Sequence, residues 1–159
     1  MGIYNDIEFS KAQMKQIKLG LDCGIDANIY ANPRFNSRQM EEIRLMLKWI
    51  SNNPNHNLGD ITKYITPEFN SDQLREIRAG IERGLTIVWY AKPVSNSNQM
   101  YEIRKGLEHN LPVMHYAKPE LSWEEMERIR FDLESGNVNK YNYSRYNEFG
   151  SIINKLRIK

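Results

Sequence analysis

Cysteine is all but missing from this chain: Cys23 stands alone among 159 residues. A lone thiol excludes an internal disulfide and any cysteine-rich metal knuckle. Cys23 also sits beside Gly24 at an expected helix end, where the dipole would not lower a thiol pKa. Histidine is sparse as well. His56, His109 and His115 fall at unrelated positions, and no HExxH, CxxC, glycine-rich phosphate loop or nucleophile elbow accompanies them. No apolar run approaches membrane-spanning length, and the N-terminus lacks the basic-then-apolar pattern of a secretory signal. Met1-Gly2 opens like a myristoylation site, but Asp6 stands where Ser or Thr is wanted. Asn142-Tyr143-Ser144 matches a glycosylation sequon, which without secretion has no consequence. The expectation is a cytoplasmic protein that is not an enzyme, holds no cofactor or metal, and does not enter a membrane.

Hydrophobic content of 40% against 26% charge is ordinary for a folded domain and argues against wholesale disorder. The net charge of +2 is unevenly spread. From 137 to 159, Lys140, Arg145, Lys155, Arg157 and Lys159 face only Glu148, a net +4 that leaves −2 on the preceding residues. A basic tail of that kind suits an anionic partner. Tyr141, Tyr143, Tyr146 and Phe149 interleave with its cations, a composition that stacks bases while tracking a phosphate backbone. The same stretch also reads as a cap, because Phe149, Ile152, Ile153 and Leu156 fall at i, i+3, i+4 and i+7 of an amphipathic helix.

What the chain does have is a tandem motif. Tyr-x-x-Pro recurs at Tyr30–Pro33, Tyr64–Pro67, Tyr90–Pro93 and Tyr116–Pro119, and an earlier copy begins at Tyr4. Each is followed by a helix opening whose first apolar residue is Met14, Met40, Leu74, Met100 or Met126, at intervals of 26, 34, 26 and 26 residues. Three positions on stand Ile17, Ile43, Ile77, Ile103 and Ile129; four further on stand Leu21, Leu47, Ile81, Leu107 and Leu133. Offsets of three then four place these side chains on one helical face. Ser10, Asn36, Asn70, Asn96 and Ser122 are N-cap types, each with Gln or Glu three residues later, which predicts five capping boxes. Gly24, Gly84 and Gly136, with Asn110 in the fourth unit, predict left-handed C-terminal caps. The apolar stretch that follows, such as Leu85–Tyr90, is read as a second helix of one to two turns closed by the proline. A strand is the competing reading there, disfavoured by Pro112.

The predicted fold is therefore all-α: tandem helix–turn–short-helix units stacked as a small α-solenoid, with a C-terminal capping helix. The array spans 1–136 with an insertion at 51–58, and the basic aromatic segment spans 137–159. This pattern resembles the tandem short-helix repeats, roughly F-N-x-x-Q-M-x-E-I-R-x-G-L-x-x-G-L-x-V-x-x-Y-A-x-P, of proteins from Gram-positive gut bacteria, their phages and mobile elements. The resemblance covers about residues 4 to 136 and implies an all-helical fold and a mobile-element setting, not a reaction. Unit two departs from it by eight extra residues, and unit five has Asp132-Leu133 in place of Gly-Leu.

Departures from a repeat are where specificity concentrates. Ser51–Asn57 is polar and Asn-rich, so it is read as a protruding loop, with Trp49, Asn53, Asn55 and His56 as contact candidates or as a tolerated surface insertion under which Trp49 is cover. Lys18, Arg44, Arg78, Arg104 and Arg130 each follow a helical Ile and form a possible ladder for an acidic partner. Pairing within the helix, as Glu41 with Arg44 or Glu127 with Arg130, is the plainer alternative. Glu42, Glu76 and Glu102 are read as helix-surface carboxylates without paired geometry. The leading functional expectation is a non-catalytic protein-binding module. Its concrete version is a phage or mobile-element inhibitor of a host defence system, anti-CRISPR-like, acting by blockade because the charge balance argues against DNA mimicry. The alternative is nucleic-acid binding through helix-turn-helix-like units and Lys140, Tyr141, Tyr143, Arg145, Tyr146, Lys155, Arg157 and Lys159. Self-association is the third.

Overall fold

The computed structural model describes residues 8–56 and 60–137, and the described residues are all helical, with no strand. Five α-helices run α1 (Lys11–Asp22), α2 (Ser37–Asn52), α3 (Ser71–Glu82), α4 (Ser97–Glu108) and α5 (Trp123–Glu134). Single 3-10 turns lie between them at Ala27–Ile29, Thr62–Tyr64, Ile87–Trp89 and Val113–His115. The strongest helix packing is between chain neighbours, α1 on α2, α2 on α3, α3 on α4 and α4 on α5.

All five helix starts carry the predicted capping box, with the N-cap side chain accepting from the N3 backbone and the N3 side chain accepting from the N-cap backbone. The N3 glutamines do more than that. In α2, Gln39 Oε1 accepts from Asn36 N at 2.8 Å while its Nε2 donates to Pro67 O at 3.3 Å and Phe69 O at 2.6 Å. Gln13, Gln73 and Gln99 repeat this on Pro33 and Phe35, Pro93 and Ser95, and Pro119 and Leu121. One buried amide thus closes its own helix and holds the turn leading into the next. In α5 the position belongs to Glu125, whose carboxylate accepts from Ser122 N but has no proton to donate onward at neutral pH.

The helix stops are also as predicted. Gly24, Gly84 and Gly136 have φ of 73°, 66° and 70°, and Asn110 has 56°. Each is followed by a backbone bond back to the last helical turn, as in Ile25 N to Gly20 O at 2.9 Å and Leu85 N to Gly80 O at 2.9 Å.

The short second helix is shorter than predicted. It is one 3-10 turn of three residues that ends before or at the tyrosine, so the proline does not terminate it. In three of the four units the tyrosine turns back onto the preceding helix. Tyr30 Oη donates to Gln16 O at 3.1 Å, Tyr90 Oη to Glu76 O at 3.1 Å and Tyr116 Oη to Glu102 O at 3.3 Å, with all three side chains fully buried. Burial pushes the Tyr90 and Tyr116 hydroxyls far above the ordinary phenol range, so they stay protonated donors. The space for each ring end comes from a glycine. A Cβ at Gly20, Gly80 or Gly106 would overlap the hydroxyl of Tyr30, Tyr90 or Tyr116.

The core follows the apolar series, with Met40, Leu74, Met100 and Met126 at 0% exposure and Ile17, Ile43 and Ile77 at 1% or less. Met14 and Leu21 depart from it at 42% and 50% exposed. They lie on α1, which packs against α2 and has no described helix before it. The predicted loop Ser51–Asn57 is corrected in its first residues. Ser51 and Asn52 extend α2 to 16 residues, against 12 in the other helices, and Asn53 closes it by donating from Nδ2 to Trp49 O at 2.8 Å.

Two stability outcomes follow. Gly20→Ala should cost about 2 kcal/mol by overpacking even though alanine is the better helix former, and adding Tyr30→Phe should recover part of that loss in urea unfolding. Gln73→Glu should cost on the order of 3 kcal/mol, because a carboxylate would face the Pro93 and Ser95 carbonyls without a donor. A Gln73→Glu chain with unchanged urea midpoint would mean that the amide does not hold the turn.

Candidate partner-binding surface

Of the five helical cations expected to form an outward ladder, the four arginines lie in the seams between helices, and Lys18 on α1 is exposed. Arg104 and Arg130 are 6% and 7% exposed, Arg44 is 9% exposed and Arg78 is half-buried. Arg78 Nε meets Glu42 Oε2 at 2.8 Å and its Nη1 meets Glu82 Oε1 at 2.7 Å. Arg104 pairs with Glu76 at 2.7 Å and with Glu108; Arg130 pairs with Glu102 at 2.7 Å and Glu134 at 2.8 Å. Each guanidinium therefore bridges a carboxylate of the preceding helix to one four residues along its own. The expected i,i+3 partners Glu41 and Glu127 are not used among the described residues. The expectation that Glu42, Glu76 and Glu102 are helix-surface carboxylates is corrected, since Glu102 is 3% exposed and all three accept from the following helix. Burying a carboxylate is tolerated here because a guanidinium donates to it at hydrogen-bond distance.

The electrostatics follow from this pairing. Burial works against the charged form of Glu108, yet Lys105 at 3.0 Å and the Arg104 charge hold its carboxyl below the ordinary value of 4.5. Glu134 is held down in the same way by His109 and Arg130. Burial also opposes the charge of Arg104 and Arg130, and their carboxylates outweigh it, raising both.

Arg44 differs. Its Nε donates to the neutral Gln16 Oε1 at 3.1 Å, and four residues on, where Arg78, Arg104 and Arg130 have glutamate, stands Lys48. Lys48 Nζ lies 3.8 Å from Cys23 Sγ.

Solvent faces a different set of residues. Counting from each tyrosine, the second residue before it is Asn28, Thr62, Val88 or Met114, and the second after it is Asn32, Thr66, Lys92 or Lys118. Val88 and Met114 are 57% and 38% exposed, and Val94, in the turn after Tyr90, is 71% exposed. Lys92 and Lys118 are exposed and make no ion pair among the described residues. Beside Val88 a cleft of about 360 Å³ is floored by Ile81, Leu85 and Ile87, with His56 and Lys63 on its rim. His56 reaches this cleft through the lengthened α2, with its ring edge-on to Trp49 at 5.0 Å. Trp49 is half-buried against the core, Asn53 is the helix cap, and Asn55 is exposed. Of the loop candidates, His56 alone lines the cleft. The exposed valines and methionine escaped sequence reasoning, although comparing equivalent positions between units would have isolated them. Lys140, Tyr141, Tyr143, Arg145, Tyr146, Lys155, Arg157 and Lys159 lie outside the described residues, as does the predicted capping helix.

Among the described residues no helix is long and apolar enough to cross a membrane, and no group of three or more His, Cys, Asp or Glu side chains is placed to hold a metal. Comparison with protein-family models, with curated proteins and with solved structures gives no match.

A double-mutant cycle on Glu76→Gln and Arg104→Met should show each single change costing about 3 kcal/mol and the pair costing clearly less than their sum. Acid should act on the same seams. Because the folded carboxyls of Glu108 and Glu134 are depressed, their stabilisation is complete above pH 4.5 and is lost as the pH falls through their lowered values. Urea midpoints measured from neutral pH down to pH 3 check the sign.

Proposed function

We propose that the chain is an α-solenoid of tandem units whose repeated polar bonds build a frame and whose varying exposed positions bind a protein partner. The solenoid reading is supported by the recurrence, from one helix to the next, of the same glutamine, tyrosine and arginine bonds. The binding reading is carried by one observation: at equivalent exposed positions the first two units present Asn28 and Thr62, while the next two present Val88 and Met114. Exposed apolar side chains at this equivalent position in two neighbouring units, beside a cleft lined in part by Ile81, Leu85 and Ile87, suit a docking patch. The solvent-exposed lysines at 92 and 118 would set orientation rather than affinity. The inhibitor version of this reading requires the partner to be a component of a host defence or nuclease system.

Photo-crosslinking from a benzoylphenylalanine at Val94 or Met114 should capture a polypeptide in the cell that encodes the chain, with little capture from the exposed Glu41. Val88→Asp with Met114→Asp should weaken that partner at least about tenfold without changing thermal stability. Capture of nucleic acid alone would favour the alternative reading through the basic segment. Equal capture from Glu41 would remove the patch from consideration.

A further inference from the structure

The α1–α2 seam is built on the same plan as the later seams but with its acids taken out. In the α3–α4 seam, Glu76 and Arg83 of one helix face Arg104 and Glu108 of the next, with Arg83 Nε at 2.9 Å from Glu108. In the α4–α5 seam, Glu102 and His109 face Arg130 and Glu134, with His109 Nδ1 at 2.6 Å from Glu134. The corresponding four residues between α1 and α2 are Gln16, Cys23, Arg44 and Lys48, and the corresponding approach is that of Lys48 to Cys23. The two carboxylate positions are thus occupied by an amide and an ammonium, so this seam carries two positive charges and, among the described residues, no carboxylate paired with either. Asp22, in the last turn of α1, is exposed.

Arg44 is more than nine-tenths buried, yet its only hydrogen bond to a described residue runs from Nε to Gln16. No side-chain nitrogen shut off from solvent lacks a partner, so its free Nη groups are reachable by water. A guanidinium held in place by burial, with its outer edge open and an ammonium beside it, is a preformed receptor for an oxyanion.

We propose that this seam is a carboxylate-binding site. The position on Arg44 Nη1 that Glu82 and Glu134 fill on Arg78 and Arg130, at 2.7 Å and 2.8 Å, is filled here by an Asp or Glu side chain of a bound protein. The carboxylate source rests on the protein-binding reading above; the receptor itself does not. The later seams supply the argument for carboxylate over phosphate, because the same guanidinium cradle is matched there by glutamate on the chain's own backbone.

The test uses the full chain with acetate, phosphate and chloride as probes at constant ionic strength. Acetate should raise Tm above the chloride value, by about 3 °C at tenfold its dissociation constant, and should shift the Arg44 side-chain NMR signals. Lys48→Glu supplies the missing carboxylate from the chain itself. It should raise Tm in chloride and abolish the acetate response, and Gln16→Glu should act in the same direction. Arg128→Glu, an equal charge change at an exposed position on α5, should leave the acetate response intact. A response to phosphate without one to acetate would overturn the carboxylate assignment, and equal Tm in all three salts would overturn the site. A lower Tm for Lys48→Glu would also overturn it. An acetate response that survives while crosslinking from Val94 and Met114 fails would retain the receptor and remove only the protein-docking patch.

Discussion

A buried primary amide has two donors and an acceptor, and this fold depends on using all of them at once. The N3 glutamine of each of the first four helices closes its own helix with its oxygen and grips two carbonyls of the next turn with its nitrogen. Those carbonyls belong to chain that makes no regular ladder, and left bare in the interior they would each cost an unmade hydrogen bond. The amide therefore couples local helix formation to the placement of the following helix. At Tyr30, Tyr90 and Tyr116 the hydroxyl adds a second tie in the other direction, running back to the helix just completed, and the glycine opposite leaves it room. With both ties made, the apolar faces of neighbouring helices meet and the core closes.

Polar groups fixed in this way divide the molecule into a constant interior and a variable surface. The arginines that sequence inspection offered to a partner are mostly consumed by the chain's own glutamates, which neutralises the seams and removes Arg78, Arg104 and Arg130 from the proposed contact surface. What remains for recognition is the set of positions that the frame leaves open. These are the residues flanking each tyrosine, the rim of the cleft under the lengthened α2, and the one seam in which the acids have been exchanged for Gln16 and Lys48. The proposed solenoid would thus carry its specificity by substitution at a few open slots without altering the frame.

Helix starts and stops were legible in the sequence because they are set within a few residues. Ser10 with Gln13, or Asn70 with Gln73, can satisfy each other before any tertiary contact exists, and Gly24 or Asn110 takes a left-handed φ from its own backbone freedom. Apolar spacing likewise gave the face that packs, as Ile43, Ile77 and Ile103 bear out, though not the exposure of Met14 and Leu21, which depends on which helices have neighbours. Tertiary structure alone decided the partners of the charges and the meaning of the glycines. Glu76 and Arg104 are 28 residues apart, and periodicity along one helix says nothing about an acceptor on another. Gly80 looks like a helix weakness until Tyr90 is folded back over it. Local hydrogen bonds and backbone preferences act over one turn, so a single strand of letters carries them; burial and charge pairing are set by distances between turns, and these exist only once the helices have packed.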